Sequence, residues 1–147
     1  MTKNTGKPSE EIFDTHFTRL GKRAYVHKFT DASEVTGMNK GRVGSGFVNV
    51  KAQPADRLVV LDGQMFFAEV KSSVAEHDRF DFKLLKKGQN AAGAQAIAAG
   101  GAYWVYYHHI ATDEWFRFPY GVVLAAKAAG QSSIPLAMMR TNMIWVP

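Results

Sequence analysis

Gln53-Pro54-Ala55-Asp56-Arg57-Leu58-Val59-Val60-Leu61-Asp62-Gly63-Gln64-Met65-Phe66-Phe67-Ala68-Glu69-Val70-Lys71 carries two apolar, β-branched and aromatic runs on either side of an Asp-Gly pair. Asp-Gly between such runs is the strongest short-range signal for a two-residue hairpin turn, so the stretch predicts a β-hairpin. With Asp62 and Gly63 as the turn, Leu61 faces Gln64, Val60 faces Met65, and counting outward sets Asp56 opposite Glu69. Side chains opposite one another on antiparallel strands share a face, with Cβ atoms roughly 4.5–5.5 Å apart. Like charges in that relation repel, and burial makes the repulsion worse. A divalent cation between the two carboxylates removes the conflict. Lys71, two residues beyond Glu69, projects from the same face.

Leu58, Val60, Met65 and Phe67 share the acidic face, while Val59, Leu61, Phe66, Ala68 and Val70 occupy the other. Strands apolar on both sides belong inside a sheet covered by helices. An exposed hairpin with solvated charges is the plainer reading, and the apolar neighbours argue against it. Hard oxygen ligands suit Mg²⁺, which keeps waters and bridges to phosphate oxygens, and a lysine beside them can orient water or balance phosphate charge. The pattern points to phosphodiester hydrolysis.

Pro54-Ala55-Asp56, twelve residues, then Glu69-Val70-Lys71 resembles the signature of the PD-(D/E)XK nuclease superfamily. Gly6 to Phe13, Val26-His27-Lys28, Lys51 to Asp56, Phe80-Asp81-Phe82-Lys83-Leu84 and Gln89 resemble, in order, the blocks of RecU-type Holliday junction resolvases. The resemblance spans most of the first 110 residues. It implies a homodimeric, Mg²⁺-dependent endonuclease, with Mn²⁺ able to substitute, that cuts four-way DNA junctions symmetrically. It also implies that an acid on the first helix and the Val70 carbonyl complete the metal site, and that Gln89 stands beside it. Such an enzyme would work in a bacterial cytoplasm, on a chromosome or a phage genome.

At 147 residues the chain fits a single domain over residues 1–147, able to bury a substantial core. Eighteen basic against thirteen acidic residues give a net charge of +5, which favours a polyanionic partner. The acids avoid the intervals between Glu34 and Asp56, between Asp81 and Asp113, and after Glu114, where Lys40, Arg42, Lys51, Lys83, Lys86, Lys87, Arg117, Lys127 and Arg140 fall. Cysteine is absent, which removes disulfides and thiolate-bound zinc. No apolar run reaches membrane-spanning length, and Met1 to Glu11 has no signal-peptide core.

Lys3 to Pro8 reads as a loose arm. Ser9 is placed to cap a helix with Ile12, Phe13, Phe17 and Leu20 on its apolar stripe and Gly21 as its stop. Glu10 lies on that stripe, which favours it over Glu11 as the helix's metal ligand; both are otherwise ordinary first-turn acids that suit the helix dipole. Ala24 to Phe29 reads as a strand, with Lys28 as a phosphate contact and His27 left without a role. Residues 30–51 form a glycine-rich, basic connection in which Lys40 and Arg42 would meet the junction. Gly41-Arg42-Val43-Gly44-Ser45-Gly46 lacks the Lys-Ser/Thr ending of a phosphate-binding loop, so no nucleotide cofactor is expected.

Beyond the hairpin, Ser72 to Arg79 reads as a loop and Lys86 to Ala99 as a helix. Ala102 to His109 and Glu114 to Phe118 read as strands, a helix follows from Pro119 to Ala129, and Asn142 to Val146 reads as an edge strand. His108 and His109 point to opposite faces of their strand and cannot easily share an ion. The aromatic residues from Tyr103 to Phe118 suit a core better than base stacking. The expected architecture is α/β, a mixed central sheet flanked by helices with a restriction-endonuclease-like core. Its site comprises Glu10, Asp56, Glu69, Lys71 and Gln89, with Mg²⁺ on Asp56, Glu69, Val70 and Glu10, and with Lys28, Lys40, Arg42, Lys83, Lys86 and Lys87 on DNA. Two other readings stay open: a related nuclease acting on linear, flapped or otherwise branched DNA, and a DNA-binding relative that no longer cuts.

Overall fold

The computed structural model describes residues 6–30 and 53–147. Lys40, Arg42 and the rest of the glycine-rich connection, apart from Thr30, lie outside them. The chain runs through α1 (Lys7–Arg19), β1 (Ala24–Lys28), β2 (Arg57–Leu61), β3 (Gln64–Ser73), β4 (Arg79–Asp81), α2 (Lys87–Ala98), β5 (Tyr103–His109), β6 (Glu114–Pro119), α3 (Tyr120–Ala128), β7 (Ser133–Pro135) and α4 (Leu136–Asn142). Among the described residues the central sheet has five strands in the order β1-β2-β3-β5-β6. β3 and β5 are parallel and the other neighbours antiparallel, so the sheet is mixed as expected.

The turn decides this arrangement. Asp62 and Gly63 both take positive φ, 49° and 83°, the two-residue turn whose twist matches its strands. Leu61 therefore pairs with Gln64 and Val60 with Met65, the register the sequence predicts. Arg23 forks onto the Asp62 carboxylate at 3.0 and 2.9 Å, a solvated pair that contributes little energy.

Each face of the sheet has its own apolar cluster. α1 lays Phe13 and Phe17 on Val59, Phe66, Ala68, Val70 and Tyr106. On the opposite face Tyr103, Val105, Tyr107, Phe118, Tyr120 and Val123 join Phe80, Ile134, Leu136 and Met139, gathered around α2, α3 and the small β4-β7 pair. The hairpin end of that second face departs from expectation. Met65 and Tyr25 stay 62% and 63% exposed, so helical cover reaches only part of it.

α1 begins earlier than the sequence predicts. Gly6 stands at its N-cap and Pro8 in its first turn, so Lys7 and Pro8 are helical and not part of an arm. Ser9 does not cap it. Its side chain is buried and meets His108 Nδ1 at 2.9 Å. Pro135 starts α4, a helix the sequence reading missed. The tail after α4 forms one bridge, Phe116 to Ile144, and exchanges backbone bonds with β6 without becoming the strand expected there.

Two glycines carry measurable consequences. Gly63 sits in the left-handed region, where a Cβ costs about 1–2 kcal/mol, so Gly63→Ala is expected to lower stability by about that amount in urea unfolding. A Cβ on Gly93 would stand 2.7 Å from the ring of Tyr120, which is 1% exposed and tied by its hydroxyl to Asn90 at 2.7 Å. Gly93→Ala is therefore expected to cost about 1–3 kcal/mol, the usual penalty for overpacking; an unchanged urea midpoint would contradict the close α2–α3 contact.

Candidate active site

The β2–β3 ladder ends at Arg57 and Ala68, and one step further out Asp56 and Glu69 face each other. Side chains replace the ladder there. The Asp56 N–H donates to Glu69 Oε2 at 3.1 Å, and the Val70 N–H donates to Asp56 Oδ2 at 2.9 Å. Each carboxylate thus holds the other strand's backbone, and the two are fixed close together. Asp56 is half-buried and Glu69 wholly buried. Among the described residues none donates to Asp56 Oδ1.

Glu69 Oε1 receives Lys71 Nζ at 3.0 Å and Gln89 Nε2 at 2.6 Å. Gln89 is aimed by its own backbone setting: its Oε1 accepts the Lys86 N–H at 2.9 Å at the start of α2. One amide side chain therefore locks the helix to the carboxylate. Burial, then the nearby Asp56 charge, push the Glu69 carboxyl up to about 8, against the opposing pull of Lys71. Tyr103 is pushed up by burial and by the same two acids, so it stays a neutral phenol and donates to the Pro54 carbonyl at 2.7 Å.

Asp56, Glu69, Lys71 and Gln89 come together as one constellation. Glu10 does not join it directly. It is half-buried on the sheet side of α1 while Glu11 is exposed, and its carboxylate meets Arg57 Nη1 at 3.3 Å. Among the described residues no group of three or more His, Asp or Glu side chains is placed to hold a metal ion. Lys28 pairs with Arg57, which puts it on the α1 side of the sheet, whereas the exposed His27 shares the carboxylate side with Phe29 and Phe67. Lys83, Lys86 and Lys87 are exposed on the segment leading into Gln89.

Sequence reasoning passed over Arg57 and Asp14. Arg57 is 1% exposed, and its guanidinium takes both Asp14 oxygens at 2.8 and 3.0 Å. The signal was present as an acid pair one helical turn apart, Glu10 and Asp14, facing an arginine that opens a strand. His108 stands between Ser9 and Asp113, with Nε2 2.8 Å from Asp113 Oδ1 and its ring stacked on Trp115 at 4.5 Å. That sequence of groups is the one nucleophilic hydrolases use, but Ser9 is 1% exposed and no substrate reaches it. The trio pins α1 to β5. His109 bonds Thr112 and the His77 carbonyl, so the two histidines go separate ways, as their alternation requires.

No family model and no curated protein matches this sequence. Among solved structures the chain is similar to Hjc, a Holliday junction resolvase from the archaeal hyperthermophile Archaeoglobus fulgidus. The TM-score is 0.57 at 13% identity, over 95% of this chain and 94% of that one. The likeness is one of fold. The mixed sheet with helices on both faces is the architecture of that nuclease, and the narrower RecU-type likeness rests on the motif blocks alone. The chain also has, among its described residues, no helix long and apolar enough to cross a membrane.

The buried Glu69 carboxyl gives a pH signature. Its folded pKa, about 8, lies above its ordinary 4.5, so folding takes up a proton between those values. Its influence is harmless below pH 4.5 and removes stability progressively as pH rises to about 8. Chelator-treated wild type is expected to lose melting temperature across that window, while Glu69→Gln does not and melts higher at alkaline pH. Parallel curves for the two proteins would contradict this.

Proposed function

We propose that the chain is a Mg²⁺-dependent endonuclease acting on branched DNA, and that its substrate is the four-way junction cut by paired symmetric nicks. The reading is carried by the interlocked Asp56–Glu69 pair, with Lys71 and Gln89 on Glu69, within a resolvase-like fold. The donors fit a hard cation: Asp56 keeps one carboxylate oxygen clear of described donors, Glu69 supplies oxygens already aimed, and Val70 follows with its carbonyl. When bound, the ion would polarise the phosphoryl group and lower the pKa of a water. Mn²⁺ would substitute, sharing the preference for oxygen.

The protein's own groups have distinct tasks in this reading. Lys71, released from Glu69, presents its ammonium to the attacking water or to phosphate oxygens. Gln89 keeps the Glu69 carboxylate from turning. Lys83, Lys86 and Lys87 hold the backbone of the arm being cut, so binding weakens steeply with salt and reads little sequence. Glu10 stands one guanidinium away from the pair and is carried as an outer acid of the site. Paired nicks require two sites, hence a two-fold dimer. The RecU-type assignment belongs to the same proposal.

A labelled four-way junction and a linear duplex of the same sequence, incubated with Mg²⁺, test this. The wild type is expected to nick the junction in symmetric pairs and to spare the duplex. Lys71→Met should retain junction binding and lose about 10²–10⁴-fold in cutting, the usual worth of a positioned proton-transfer or charge-balancing group. Equal cutting of both substrates would keep the nuclease and discard the junction. Binding without cutting in Mg²⁺ or Mn²⁺ would leave a DNA-binding protein.

A further inference from the structure

Arg57 is the most deeply buried charge in the described structure that the proposed chemistry does not use. A guanidinium out of water is costly unless paired and hydrogen-bonded. Asp14 of α1 takes it with both oxygens, Glu10 adds one contact at 3.3 Å, and Nη1 also donates to the Asp56 carbonyl at 3.2 Å. The same carbonyl accepts the Phe29 N–H at 3.1 Å. The peptide leaving Asp56 is therefore held from two sides, by β1 and by a side chain anchored in α1. From that peptide the Asp56 side chain accepts the Val70 N–H at 2.9 Å.

We propose that Arg57 is a positioning residue for the metal-binding carboxylates: anchored by Asp14, it holds the Asp56 peptide so that Asp56 meets Glu69 in the geometry a cation needs. The proposal rests on Asp56 and Glu69 being metal ligands. It assigns the two helix acids different work. Asp14 is the anchor because it grips the guanidinium fork with two short bonds. Glu10, on a single longer contact, is dispensable for that grip. Lysine cannot replace Arg57, because one ammonium cannot span the Asp14 fork and the Asp56 carbonyl together.

Mn²⁺ affinity by calorimetry, measured well below each variant's melting temperature, separates this from a purely structural role. Asp14→Asn keeps one side-chain oxygen to accept from the guanidinium, which makes it milder than truncation, and each variant's melting temperature shows that it is folded where affinity is read. Asp14→Asn and Arg57→Lys are each expected to weaken Mn²⁺ binding about fivefold or more, although neither residue reaches the ion. Glu10→Gln is expected to weaken it less than Asp14→Asn does. A lowered melting temperature with wild-type Mn²⁺ affinity in Asp14→Asn and Arg57→Lys would overturn the proposal and make Arg57 a stability device only. A larger loss in Glu10→Gln than in Asp14→Asn would overturn it too, by making Glu10 the ligand. Absence of Mn²⁺ binding in the wild type would instead remove the metal reading beneath it.

Discussion

Two carboxylates facing each other at the last rung of a strand pair are an arrangement the rest of this protein has to tolerate. Repulsion between them grows as solvent is withdrawn, and Glu69 is wholly withdrawn. The structure answers with donors on every side: two backbone N–H groups, the Lys71 ammonium and the Gln89 amide. None of these lies far along the chain from an element end. The hairpin turn sets the register, the parallel β3–β5 pairing buries the acid-bearing strand, and the start of α2 delivers the glutamine.

That concentration of elements explains how much of the site was legible. A two-residue turn leaves no freedom in strand register, so Asp62-Gly63 alone placed Asp56 opposite Glu69 and Lys71 on the same side. The same reasoning one strand further places Lys28: its partner Arg57 sets it on the α1 face. Ser9 looked like a cap because capping chemistry is local, whereas its partner His108 is 99 residues away. Such long-range polar pairs leave no periodic trace. α4 was invisible for a different reason, since Leu136 to Asn142 follows a proline and has too few turns for a stripe to declare itself.

Arg57 is the instructive omission. Hydrophobic patterning treats a charge at a strand start as solvated, yet here it is among the most buried side chains and links α1 to the backbone of Asp56. Two long-range ties thus fasten α1 to the sheet at separate points, Asp14–Arg57 beside the carboxylates and Ser9–His108 on β5. Beside these ties Phe13 and Phe17 pack on Val59, Ala68 and Tyr106. The helix and the acidic pair lie on opposite faces of the sheet, and the guanidinium beside the Asp56 carbonyl is what connects them.

Anomalous diffraction from a crystal soaked in Mn²⁺ tests the central claim most directly. A peak bonded to Asp56, Glu69 and the Val70 carbonyl, with Lys71 drawn off Glu69, is the predicted result. No peak there, with the Asp56–Glu69–Lys71–Gln89 bonds unchanged at saturating Mn²⁺, would show that the pair is held for structural reasons and is no metal site.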